Sequence, residues 1–89
     1  MTSAETHGEL ERVLRELIAE AIGAEGQTLA RLPADTRLFG AEVSLNSLAG
    51  LRLISRVHER FGVDIAAEDL NLDALESIAS LRDFVAQRT

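Results

Sequence analysis

The sequence predicts an all-α protein, a small four-helix bundle of three main helices and a short third one, with a long loop between the first two. Three observations lead there. Apolar residues recur at helical spacing in separate stretches of an 89-residue chain. Glycines and side chains suited to helix caps fall at the ends of those stretches. No stretch alternates apolar and polar residues long enough to form a strand, since Val63-Asp64-Ile65 is short and has no partner.

The first helix is expected at about 6–22. Leu10, Val13, Leu14, Leu17, Ile18, Ala21 and Ile22 form one stripe. Thr6 and Glu9 have the spacing of a capping box, and Gly23 and Gly26 close the helix. Glu9, Glu11, Arg12, Arg15, Glu16 and Glu20 occupy the remaining face. Residues 23–46 hold three of the six glycines and the only proline, Pro33, with no sustained period. A loop of that length is usually functional or packed on itself. Leu29, Leu32, Leu38 and Phe39 are expected to pin it to the bundle, with a short turn of helix along the way.

The second helix is expected at 47–61, SLAGLRLISRVHERF. Leu53, Ile54, Val57 and Phe61 fall within an arc of about 100°, the width of a core stripe. Leu48 and Leu51 lie outside that arc, toward solvent, and Arg52, Arg56 and Arg60 make an i, i+4, i+8 ridge. Gly62 ends the helix. Next comes an acidic stretch in which Asp64, Glu68, Asp69, Asp73 and Glu76 meet no basic residue. Asp64 caps a short helix near 67–71, with Leu70 and Leu72 pointing inward. Ser77 caps the last helix, 77–87, whose apolar face is Ile78, Leu81, Phe84 and Val85.

Length and composition bound the function. The chain is one domain, 1–89, with no cysteine, so disulfides, thiolate metal sites and a cysteine nucleophile are excluded. The net charge is −6, and every basic residue is Arg. The second helix carries +2 (His58 neutral), so the rest carries −8, which opposes a phosphate backbone; no nucleic-acid binding is expected. No secretory leader or membrane span is seen, and a cytoplasmic location follows as an expectation. His7 and His58 are isolated and read as surface imidazoles. Asp69, Asn71 and Asp73 open like a calcium loop, but Ala74 and Ser80 replace the required Gly and Glu, so no metal site is assigned.

Asn46-Ser47-Leu48 remains. A Ser at a helix start ordinarily caps orphan N–H groups. The same place is a seat for a phosphate, because the free N–H groups and the positive helix end favour an anion. Ser47 can therefore bear a phosphate-linked group, with Leu48 and Leu51 offering apolar contact beside it.

At these residues the sequence resembles the acyl carrier and peptidyl carrier protein family, over essentially the whole chain. The family's Asp-Ser-Leu motif, helix and closing Phe-Gly-(Ile/Val) correspond to Asn46-Ser47-Leu48 through Phe61-Gly62-Val63. The resemblance implies 4'-phosphopantetheine bound covalently to Ser47 by a phosphopantetheinyl transferase, from coenzyme A. The arm's thiol would hold acyl groups as thioesters, which gives a cysteine-free chain thiol chemistry. Asn46, Leu48, Leu51 and Arg52 match positions that meet partners, here the transferase and acyl-loading and acyl-transferring enzymes. No catalytic residue is expected, since the partners supply catalysis, and the protein is expected to be a monomer.

Two departures qualify the resemblance. Asn46 stands where the family has Asp, which normally assists the transferase, partly through a metal ion. The basic residues of the second helix contrast with the acidic helix of fatty-acid carriers. They point to a free-standing carrier of a polyketide or nonribosomal peptide pathway. The run FGVDIAAEDLNLD at 61–73 looks like carriers that load glyceryl or methoxymalonyl units. The alternatives are a carrier-like interaction module that is never phosphopantetheinylated, and a small helical enzyme, for which no clustered acid, base or nucleophile exists.

Overall fold

A computed structural model describes residues 3–24, 26–40, 43, 45–69 and 72–89, and for 3–7 and Gly26 the backbone alone. The helices are α1 (Ser3–Ile22), α2 (Gly26–Ala30), α3 (Ser47–Phe61), α4 (Ile65–Glu68) and α5 (Ile78–Ala86), with a 3-10 turn at Asp73–Leu75. No strand forms among the described residues. An isolated antiparallel bridge pairs Arg37 with Ser77. The expected all-α bundle is present, with α2 as the turn of helix inside the long loop.

The α1 stripe faces the core as its spacing predicts. Leu10, Val13, Leu14, Ile18 and Ala21 are buried, and Leu17 and Ile22 pack at the margin. The helix begins earlier than expected, at Ser3, so Thr6 is an internal residue and not a cap. Ser3-Ala4-Glu5 contains no breaker, and an unbroken run of helix-tolerant residues extends a helix until a stop signal. Gly23 supplies that stop at the other end. Its φ of 74° lets the Ala24 N–H turn back to the Ala19 carbonyl at 2.9 Å.

Two residues of the remaining α1 face, Glu11 and Arg15, form a polar staple. The Arg15 side chain is only 12% exposed. Its Nη1 donates to the carbonyls of Leu29 (2.5 Å) and Leu32 (2.6 Å), closing the end of α2. Its Nη2 donates to Glu11 at 3.2 Å, and the other Glu11 oxygen accepts from Arg82 of α5 at 2.8 Å. Arg82 also pairs with Asp83 at 2.9 Å. The hydrogen bond to Asp83, against an opposing cost of burial, raises the Arg82 pKa above its already high ordinary value. Burial of one long cation beneath α2 was invisible to helical spacing, because α2 itself lies in the irregular segment.

The loop is held as expected at Leu29, Leu32 and Leu38, the last fully buried. Backbone bonds fix it to the start of α5: Leu38 N–H to Glu76 O (3.1 Å), Ile78 N–H to Thr36 O (3.4 Å) and Ala79 N–H to Ala34 O (2.7 Å). Phe39 departs from the expectation, being 55% exposed. In α3, Leu53 and Val57 are fully buried, while Ile54 and Phe61 sit at the core's edge. Gly62, with φ 72°, closes the helix on the His58 carbonyl at 2.9 Å.

The short helix starts directly after its cap. Asp64 Oδ1 accepts from Ala67 N–H at 3.2 Å, which places α4 at Ile65–Glu68 and not near 67–71. A capping side chain bonds two or three residues ahead, so the cap determines the first turn. Leu70 and Asn71 lie outside the described residues. Leu72 is left-handed (φ 56°) and 37% exposed, contrary to the inward placement expected. The buried positions pass to Ala74 and Leu75. Asp69 uses Oδ2 to hold the Ala74 N–H at 2.7 Å. Ser77 caps α5 through Ser80 N–H at 3.1 Å, and Ile78, Leu81 and Val85 are fully buried. Phe84 is half-buried beneath Arg88, whose guanidinium lies 3.5 Å from the ring centroid and pairs with Glu68 at 3.1 Å.

Candidate functional site

The start of α3 is positioned by its approach. Leu45 is buried, and its N–H bonds the Leu38 carbonyl at 2.8 Å. The chain therefore enters the helix from a core anchor two residues before Ser47. Asn46 is extended (φ −105°, ψ 178°), and its Oδ1 accepts from Ala49 N–H at 2.8 Å. Its carbonyl takes the Gly50 N–H at 2.7 Å. Asn46 is the N-cap.

This assignment bears on Ser47. Sequence alone left two readings of a serine at a helix start, cap or carrier of a phosphate-linked group. The structure gives the cap to Asn46 and sets Ser47 at the first helical position, exposed, with no described residue hydrogen-bonded to its hydroxyl. The N–H groups of Ser47 and Leu48 precede the first helical bond and point out of the helix end. An anion on the Ser47 oxygen would meet those donors and the positive end of the helix dipole.

An apolar surface surrounds the hydroxyl. Leu48 is 61% and Leu51 64% exposed, as the helical wheel predicts. Phe39 joins them: its ring edge comes within 3.9 Å of where a Cβ on Gly50 would sit. These three and Leu72 are the large exposed hydrophobics among the described residues. Sequence reasoning missed Phe39 because an aromatic in a small domain is ordinarily core. Its neighbour Gly40, a turn residue, was the available signal. On the other side of Leu48, a shallow cleft runs between the ends of α1 and α3, lined by Ile22, Gly23, Asn46, Leu48, Ala49 and Arg52.

Arg52, Arg56 and Arg60 are exposed, and none pairs with a carboxylate among the described residues. Among the described residues the acidic stretch at 64–76 supplies them no carboxylate. Two like-charged i, i+4 pairs cost an isolated helix about 0.2–0.5 kcal/mol each. The last of the three, Arg60, lies in the final turn, where a cation is favoured by the dipole; Arg52 has no such compensation. His58 is exposed and brings no second titratable group to the site, while the His7 side chain lies outside the description.

The start of α3 thus presents an exposed hydroxyl with two exposed leucines on the same turn of helix. A family model described as the phosphopantetheine attachment site matches residues 12–85. The chain belongs to that family, whose domain is the site of covalent 4'-phosphopantetheine attachment, and it is a phosphopantetheine-carrying carrier protein. No curated protein and no solved structure matches it. Carriers of this family work with phosphopantetheinyl transferases and biosynthetic enzymes and are themselves non-catalytic. No helix among the described residues is long and apolar enough to cross a membrane.

Proposed function

We propose that Ser47 is the attachment residue and that the chain carries acyl intermediates for a specialised pathway, of polyketide or nonribosomal peptide type. The observation that carries this reading is the division of labour at the start of α3. Asn46 holds the Ala49 N–H, so the exposed Ser47 hydroxyl is not needed as a cap. In the attachment step the Ser47 oxygen attacks the phosphorus bearing the pantetheine half of coenzyme A. An O–P bond forms, the P–O bond of the pyrophosphate breaks, and the adenosine bisphosphate leaves with its electron pair. The serine proton passes to a base of the transferase. When bound, the group supplies a terminal thiol on which acyl groups are held as thioesters.

The chain's own residues contribute placement. Leu45 and Asn46 hold the hydroxyl in position, the free N–H groups face the phosphodiester, and Leu48, Leu51 and Arg52 meet the partner. The amide of Asn46 keeps the cap that a carboxylate would make but adds no negative charge, so modification is expected to be slower than in a variant with Asp there. The basic α3 favours a pathway other than fatty-acid synthesis, and residues 61–73 favour a carrier of glyceryl or methoxymalonyl units. The protein acts as a cytoplasmic monomer.

Incubation with coenzyme A and a promiscuous transferase tests the reading by intact mass. The wild-type chain gains one phosphopantetheine, and Ser47→Ala gains none. Folded wild-type protein that gains no mass with several transferases overturns it. Asn46 motivates a second reading, an interaction module that is never modified. It requires native protein to lack the group in its own host and to bind its partner equally well as Ser47→Ala.

A further inference from the structure

We propose that the phosphopantetheinyl transferase acting on this chain docks on α3 through an acidic surface. The inference rests on the Ser47 reading and names the kind of partner that reading requires.

The argument is one of charge placement. Arg12, Arg15, Arg82 and Arg88 all pair with carboxylates on α1, α4 or α5. Arg52, Arg56 and Arg60 pair with none among the described residues, although the chain holds 15 acidic residues. Glu59 is the sole acid in α3. A basic ridge thus runs away from Leu48, which precedes Arg52 by one helical turn, while the remainder of the chain is strongly acidic. A basic partner would be drawn to the acidic stretches and repelled where Ser47 stands. Arg31 and Arg37 are also exposed and without a described carboxylate, but they stand singly on the loop; only on α3 do three cations line up, and that ridge steers an acidic partner to the serine while most of the chain repels it. Leu48, Leu51 and Phe39 then supply the apolar centre that a charged rim surrounds. Nucleic acid and anionic lipid are disfavoured by the acidic remainder, which a protein partner contacts only at its rim.

The test uses the full chain and the transferase from the cell that makes it, following attachment by intact mass. For the wild type, KM rises roughly tenfold between low and moderately high salt, since steering is screened. Arg52→Glu/Arg56→Glu raises KM by roughly tenfold or more at low salt and leaves kcat within about twofold. Arg52→Glu alone gives part of that rise. Arg31→Glu makes the same change in net charge as Arg52→Glu but lies on the loop, and shifts KM less than about twofold. Circular dichroism verifies that each variant folds; Arg52→Gln gives a smaller rise of the same sign should the reversal unfold the helix. A KM that is unchanged or lower on charge reversal overturns the proposal. So does a wild-type dimer in sedimentation that Arg52→Glu dissolves, which would assign the ridge to a second copy. No added mass at any salt overturns the Ser47 reading itself, and this inference with it.

Discussion

The side of the molecule where α1 meets α2 and α5 and the exposed face of α3 are made of the same residue types, put to opposite use. On the first, leucines are buried and arginines are neutralised: Leu14 and Leu81 are fully buried, and Arg15 and Arg82 share Glu11. On the second, Leu48 and Leu51 are mostly exposed and three arginines have no described carboxylate. A chain this small has little apolar area to spare, because a domain of this length buries only about 60–65% of its unfolded surface. Leaving two leucines and a phenylalanine in water beside Ser47 forgoes stability that burial would supply. The contrast separates residues that hold the fold from those to which the proposed carrier role assigns a partner.

Substitutions in matched pairs test that separation. Leu53→Ala, in the buried stripe of α3, is expected to cost about 2–5 kcal/mol, measured as a lowered denaturant midpoint. Its counterpart Leu51→Ala, two positions away on the exposed face, should stay within about 0.5 kcal/mol while raising the transferase KM. Equal losses at the two sites would erase the distinction. Arg15→Ala, which leaves the Leu29 and Leu32 carbonyls without their donor, is expected to cost about 2 kcal/mol. Hydrogen exchange should show the loss as faster opening of α2 ahead of α3.

The cap separates the two roles most finely. Asn46→Ala removes the acceptor for Ala49 N–H and should lower stability by about 1 kcal/mol. Asn46→Asp keeps that acceptor and adds a favourable charge at the helix start, worth about 0.3–1 kcal/mol at low salt. It should also quicken attachment at Ser47. A small gain, about 0.5–1 kcal/mol from better helix propensity, is expected at Gly50→Ala. The added methyl meets the Phe39 ring at an ordinary contact distance.

Much of the fold was legible in the chain, and the legible parts share a cause. The α1, α3 and α5 stripes, the stops at Gly23 and Gly62 and the caps at Asp64 and Ser77 are local patterns, each completed within a few residues. The errors arose where the environment is supplied by distant residues. Arg15 is held by the carbonyls of Leu29 and Leu32, fourteen and seventeen positions away. Phe39 is held outward by a loop tied to α5, and Leu72 yields its buried place to Ala74 and Leu75. At the site, Ser47, Leu48 and Leu51 followed from position on one helix. Phe39 came to the same surface only through the loop's return.

The sequence by itself determined which residues form helices, where Ser47 stands at the start of one, and which face of that helix stays in water. Those properties depend on spacing of a few residues and on backbone bonding within a turn. Tertiary structure decided which arginines are paired among the described residues, that Phe39 lies against the first turn of α3, and that the approach to Asn46 is anchored at Leu38 and Leu45. These depend on contacts between segments far apart in the chain, where the energy of a charge or a ring is set by neighbours that no local pattern names.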